Sequence, residues 1–211
     1  MTLTETSGDF TGTGEKIVVT GSSDIELNIA DAMLGSNGTP ATATSGRGTI
    51  DASDHTGELT VDLGLLEGEN IDVGAFSGVD VLKVATDDAG GIANQLIDVT
   101  SGMKVVLTGS ESGDNTFQLD PKGTGTSDTV TLELNHDTAG SIIDLANVIV
   151  DGFEKVTISS TGTNTATATV VNILESLDGT TTDDELVITG DKKLQIDAIE
   201  VTCAPSFFHV L

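Results

Sequence analysis

The 211-residue chain has no tryptophan and no tyrosine, one cysteine, three prolines and only eight basic side chains. Each shortage excludes something. Without Trp or Tyr the chain is badly equipped to stack a sugar, and with six Phe it gets little core volume from aromatics and must bury aliphatic rows instead. A lone Cys203 can form neither an intramolecular disulfide nor a thiolate metal site. Eight basic against 34 acidic residues give a net charge of −26. That balance leaves no basic face for nucleic-acid phosphates and no polybasic patch for an anionic leaflet. No run of about 20 apolar residues is present, so no helix is expected to insert into a bilayer. The first 30 residues lack the basic-then-apolar order of a signal peptide, so classical secretion is not expected.

What is present argues for an ordered chain. Apolar residues make up 37% of the sequence, well above a solvated acidic tail. There are 32 Thr and 25 Gly, and Val, Ile, Leu and Ala supply most of the apolar side chains. β-Branched residues favour strands, and Gly with Asp favours turns. Period-two segments recur along the chain: Lys16 to Thr20, Ile25 to Ile29, Leu59 to Leu63, Asn70 to Val73, Val81 to Val84 and Leu96 to Val99. They continue through 104–108, 116–119, 129–134, 155–158, 168–173, 185–189 and 193–196. Alternation over four to six residues predicts half-buried strands. Clusters such as GSSD, SGVD, TGSESGDN, KGTGTSD and DGTTTDD separate them and turn the chain without a helix. Only 30–35 and 171–177 could hold a short helical turn.

Strands of this length, recurring about every 9 to 14 residues, argue for a solenoid, a sandwich or a barrel. The one Asn-Gly, Asn37–Gly38, has no flanking alternation, so tight antiparallel hairpins are not signalled. The expected fold is all-β, an irregular right-handed parallel β-solenoid, with a β-sandwich as the alternative. Residues 1–202 form the strand-rich segment, and 203–211 form a tail of atypical composition.

Stacked coils would bring corner aspartates into ladders. Two carboxylates about 4 Å apart repel by roughly 4 kcal/mol at an effective dielectric constant near 20. A few such pairs rival the roughly 5–15 kcal/mol stability of a whole domain. A calcium ion, which takes six to eight oxygen ligands, is the simplest compensation. The calcium nonapeptide places Asp two residues after Gly and an aliphatic two after Asp. Gly78, Asp80 and Leu82 fit that half-pattern, whereas Gly125, Asp128 and Val130 are one residue longer. Gly113, Asp114 and Asn115 precede Phe117, Asp183 and Asp184 precede Leu186, and Asp24 precedes Ile25. The candidate metal ligands are therefore Asp24, Asp80, Asp114, Asp128, Asp183 and Asp184. The alternative is a set of solvated turn aspartates that cap their own backbone.

The segments GTIDASDHTGELTVDLG (48–64), DGFEKVTISSTGTNTATATVVN (151–172) and DDELVITGDKKLQIDAIE (183–200) resemble the S-layer proteins of Gram-negative bacteria. The resemblance is to the repeats-in-toxin-related, type I-secreted surface proteins of the Caulobacter and Campylobacter kind. It rests on an I-D-A-S-x-x-T-G-x-L-T-V-x-L strand pair at Ile50–Leu63, a G-F-E-x-V-x-I strand at Gly152–Ile158, and an L-x-I-T-G strand with its successor at Leu186–Ile196. It implies a calcium-dependent, self-associating lattice module on the bacterial cell surface, with surface polysaccharide as a further partner. The tandem nonapeptides of that family are missing. A segment of a large adhesin or secreted exoprotein that binds a host or glycan ligand is the competing expectation.

Catalysis has little support in the sequence. No H-E-x-x-H, G-x-S-x-G or phosphate-binding loop is present. His55 and His136, beside Asp54 and Asp137, read as surface turn residues. No enzymatic activity is expected.

Overall fold

The computed structural model describes residues 2–4, 16–29, 49–66, 68, 70–86, 93–109, 115–136, 142–162, 171–179, 185–201 and 209–210. These residues form a parallel β-solenoid. Its main sheet has the strand order β1 (Thr2–Thr4), β3 (Ile25–Asn28), β5 (Leu59–Leu66), β8 (Val81–Thr86), β10 (Met103–Gly109), β12 (Thr129–His136), β15 (Lys155–Gly162), β17 (Glu185–Gly190) and β19 (His209–Val210). The order climbs with the sequence and skips the intervening strands, which is the mark of a coil that returns to the same face once per turn.

The skipped strands build the other faces. A second sheet contains β6 (Asn70–Asp72), β9 (Ala93–Val99), β11 (Thr116–Pro121), β13 (Asp144–Leu145), β14 (Asn147–Ile149), β16 (Val171–Gly179) and β18 (Lys193–Val201). A third, confined to the N-terminal coils, contains β2 (Lys16–Val18), β4 (Thr49–Asp51) and β7 (Phe76–Ser77). Every pairing between named strands is parallel, so the sandwich alternative does not apply.

The alternation seen in the sequence sorts side chains inward and outward. The inward side chains then stack from coil to coil. In the main sheet, backbone register aligns Leu27, Val61, Leu82, Val105, Leu132, Ile158 and Ile188 in one ladder. The four from Val61 to Leu132 and Ile158 beyond them are fully buried. Burying an aliphatic side chain of this size stabilises by about 1.5–3 kcal/mol. Phe76, Phe117 and Phe153 are the buried aromatics of the described core.

A parallel ladder changes character toward the C-terminus. Val84, Leu107 and Leu134 are followed in register by Ser160 and Gly190. Shrinking side chains leave room at this level, and the space is taken by the polar side chains of His136 and Asn172, 1% and 0% exposed.

Two expectations require correction. Residues 171–177 are not a helical turn but lie in strand β16, because parallel neighbours β14 and β18 satisfy the backbone on both sides. His136 is not a surface turn residue: it ends β12, pairs with Gly162 and is buried. The strands Phe76–Ser77, Asp144–Leu145 and Asn147–Ile149 are too short to show alternation and had no signal in the sequence. The possible turn at 30–35 and Asn37–Gly38 lie outside the described residues.

Candidate functional site

The residues that enter the main sheet form an acidic corner. Asp24, Glu58, Asp80, Asp128 and Glu154 each sit one position before a strand of that sheet. The carboxylates of Asp24, Asp80 and Glu154 accept hydrogen bonds from the adjoining coil. Glu58 N donates to Asp24 Oδ1 at 3.0 Å, and Leu59 N donates to Asp80 Oδ2 at 2.8 Å. Asp24 and Asp80 thus hold consecutive amides of one coil from opposite sides. Three coils further on, at β12, Asp128 N donates to Glu154 Oε2 at 2.6 Å, and Thr129 N donates to Ser101 Oγ at 3.0 Å. Charge-assisted bonds of this kind are stronger than neutral ones. The alternative reading of turn aspartates that cap their own backbone does not describe Asp24 and Asp80, which cap a neighbouring coil's amides.

Asp128 differs from the other two. Its Oδ2 is buried and has no hydrogen-bond donor. The turn folds back so closely that a Cβ at Gly125 would lie 2.3 Å from that oxygen. An anionic oxygen removed from water without a partner is costly and invites a cation. The donor set at Asp128 and Glu154, hard carboxylate oxygen on adjacent coils, fits calcium chemistry. Among the described residues no three His, Cys, Asp or Glu side chains converge on one point. Asp114, Asp183 and Asp184 lie outside the described residues.

A second acidic corner closes the coils behind the second sheet. Gly74 N donates to Asp72 Oδ1 at 2.9 Å, and Asp98 of the next coil packs against the same glycine. Asp98 has φ of +59°, a left-handed conformation that Asp tolerates better than most residues. Lys122, two coils from Gly74, donates from Nζ to its carbonyl oxygen at 2.7 Å. One ammonium therefore reaches across the Asp98 coil to the Asp72 turn.

Lysines work in the same way on the outer faces. Lys16 bridges to Asp51 at 2.7 Å, Lys83 to Asp62 at 2.9 Å and to Glu26 at 3.5 Å, and Lys155 to Glu185 at 3.0 Å. Lys104 pairs with Glu133. All of these cross between coils. The hydrogen bond to Lys16, with two from Ser53, holds the Asp51 carboxyl well below the usual carboxylate range. The bond to Asp62 pushes the Lys83 ammonium up. Burial works to raise the Glu133 carboxyl, but the hydrogen bonds from Lys104 and Thr161 prevail and hold it low.

Inside the stack, Asn172 organises a polar centre that the sequence reading missed. Its Nδ2 donates to Ser160 Oγ at 2.9 Å and to Leu134 O at 3.1 Å. Its Oδ1 accepts from Ile143 N at 3.2 Å and lies 3.1 Å from His136 Nδ1. Ser160 Oγ in turn donates to Lys193 O at 3.2 Å. Three other segments of chain, at 134–136, 143 and 160–161, meet on one asparagine. The only signal in the sequence was an Asn and a Ser at inward positions of otherwise aliphatic strands.

No family model, no curated protein and no solved structure matches this chain.

Proposed function

We propose that the chain is a structural module of a bacterial surface layer: a calcium-stabilised, self-associating solenoid segment that acts outside the cell and performs no catalysis. One observation carries the reading. Eight charged side chains of the described corners and outer faces, Asp24, Asp80, Glu154, Lys16, Lys83, Lys104, Lys122 and Lys155, bond from one coil to another. A chain built this way is suited to bearing load as a stack. The resemblance of 48–64, 151–172 and 183–200 to type I-secreted S-layer proteins points in the same direction, with lattice neighbours and surface polysaccharide as partners.

Calcium enters through the charge balance. With −26 formal charges, the folded stack concentrates repulsion that the unfolded chain can spread out. Bound calcium would neutralise part of it, and Asp128 with Glu154 are the described residues that would hold the ion. The other candidate ligands, Asp24, Asp80, Asp114, Asp183 and Asp184, belong to the same reading.

A calcium titration tests it. Calcium at about a hundred times its dissociation constant adds roughly 2.7 kcal/mol to folding. For a domain of this size that corresponds to a rise in Tm of about 5–10 °C. Circular dichroism melts should show this shift, chelator should reverse it, and electron microscopy should show ordered sheets only with calcium. A melt that ignores calcium, together with particles that never associate, would overturn the proposal.

A further inference from the structure

We infer that the Asp120–Pro121 peptide bond is a self-cleavage site that the folded stack keeps shut. Gln95 and Gln118 hold the Asp120 carboxylate off its own carbonyl carbon, and acid cuts the bond once they let go. The inference is independent of the surface-layer reading: the reaction is a single event within the chain, not turnover, and needs only water and a proton.

The chemistry of this bond is singular in the sequence. Of the three prolines, at 40, 121 and 205, only Pro121 follows an aspartate. An aspartate oxygen can reach the carbonyl carbon of its own residue and close a five-membered ring. The Asp120 oxygen bonds to that carbon, the C–N bond to Pro121 breaks, and the proline nitrogen leaves carrying a proton taken from acid. Proline favours the step because its nitrogen belongs to a tertiary amide and departs as a secondary amine. Water then opens the cyclic anhydride. The net change is one water added, with Asp120 as a new C-terminus and Pro121 as a new N-terminus.

The fold restrains both sides of the bond. Leu119 is in register with Leu96 and Pro121 with Val99, so Asp120 faces two residues of β9, Ile97 and Asp98, at a bulge. Side chains hold its carboxylate there. Gln95 Nε2 donates to Oδ2 at 2.6 Å, and Gln118 Nε2 donates to Oδ1 at 2.8 Å. Both oxygens are engaged, and both donors come from the N-terminal side of Asp120, since Gln95 is the ladder partner of Gln118. The bond to be cut lies on the other side. An oxygen so held must give up a charge-assisted hydrogen bond before it approaches the carbonyl carbon. The leaving group is pinned as well. Lys122 N donates to Val99 O at 2.8 Å, and the Pro121 ring packs on Gly152 of a later coil, where an added Cβ would lie 2.9 Å from its Cγ. After a cut, β1–β11 and β12–β19 would stay stacked through β10 on β12 and β11 on β14. Cleavage therefore turns a reversible opening of the stack into a permanent separation of its halves.

The test is the rate at which the fragment beginning at Pro121 appears, read by mass spectrometry. The full chain is held at the lowest pH at which circular dichroism shows the native sheet, beside the same chain denatured in guanidinium at that pH. The denatured wild type should be cut at this bond, and the folded wild type more slowly by on the order of tenfold or more, the weight of a charge-assisted hydrogen bond. Gln95→Met and Gln118→Met keep the stem and remove the donor. Each should speed cleavage of the folded chain by on the order of tenfold and leave the denatured rate unchanged. Hydrogen exchange at the Lys122 amide, unchanged in both variants, separates release of the carboxylate from release of the strand. Asp120→Ala should stop the cut in either state. A denatured wild type that stays whole, or a folded one cut as fast as the denatured, overturns the inference. Methionine variants cut no faster than wild type, or faster only in step with Lys122 exchange, overturn the part of the two glutamines. Cleavage at the same bond in Asp120→Ala overturns the part of the carboxylate.

Discussion

The imidazole of His136 lies against Gly162, the residue directly opposite it on the next coil: a Cβ at position 162 would stand 2.5 Å from the ring. The ring can be buried here only because the neighbouring residue has no side chain. Gly162 also has φ of +150°, which a side chain would strain.

Gly162→Ala should therefore destabilise the fold by about 2–3 kcal/mol, through a forced shift of a buried ring and backbone strain together. Gly123→Ala separates the two effects. Gly123 has φ of +91° with nothing within 4 Å of the added Cβ, so it should cost about 1 kcal/mol from conformation alone. Urea denaturation of both variants checks the difference. Equal losses would show that the ring contact contributes nothing.

Asn172 is the most connected polar side chain of the interior. Asn172→Leu should cost about 2–4 kcal/mol, because it leaves Ile143 N, Leu134 O and Ser160 Oγ each short of a partner in a dry site. Ser160→Ala removes one of these bonds and should cost about 1 kcal/mol. Hydrogen exchange should show the loss concentrated in β12, β15 and β16, where the partners lie. A uniform loss along the stack would mean that Asn172 does not organise this region.

Much of the solenoid was legible because its regularity is local. Leu27, Val61 and Leu132 each sit in a segment whose alternation can be counted, and stacking adds only the register. The corners were harder to read. Asp24 and Asp80 were recognisable as turn acids, but their partners, the amides of Glu58 and Leu59, are 34 and 21 residues away in sequence. A local pattern cannot encode which coil a carboxylate faces. His136 was misread for the same reason. The run ELNHD looks like a strand leaving the core, and only Gly162 and Asn172, on later coils, make its end an interior position.

The ion pair between Lys104 and Glu133 sets a pH dependence. Glu133 titrates in the fold below its ordinary value of 4.5. The folded state therefore binds its proton less readily than the unfolded chain does. Its contribution is complete above the unfolded value and is lost as pH falls through the lower folded one. Lys104→Met should lower stability at pH 7 by less than about 1 kcal/mol, as expected of a pair whose lysine is partly solvated. The gap between variant and wild type should narrow as pH falls below 4.5 and through the lowered folded value, where the carboxylate becomes protonated in both states. Thermal melts from pH 7 to pH 3 measure it, and a gap that persists in acid would assign the effect to the lysine stem rather than to its charge.

Asp128 gives the sharpest test of what the acidic corner does, because its expected effects have opposite signs. Its Oδ2 is buried without a donor, so the carboxylate is a liability when no cation is present. Asp128→Asn replaces a charged oxygen with a neutral amide of the same shape. In chelator the variant should therefore be as stable as the wild type or more so, by up to about 1 kcal/mol. In calcium the order should invert, since the variant has lost an anionic ligand and gains less from the ion. Glu58→Gln, on a residue whose backbone rather than carboxylate makes the described corner contact, should leave the calcium shift unchanged. Should the Asp128 variant be less stable in chelator and show the full calcium shift, the carboxylate is an ordinary structural acceptor and the ion binds elsewhere.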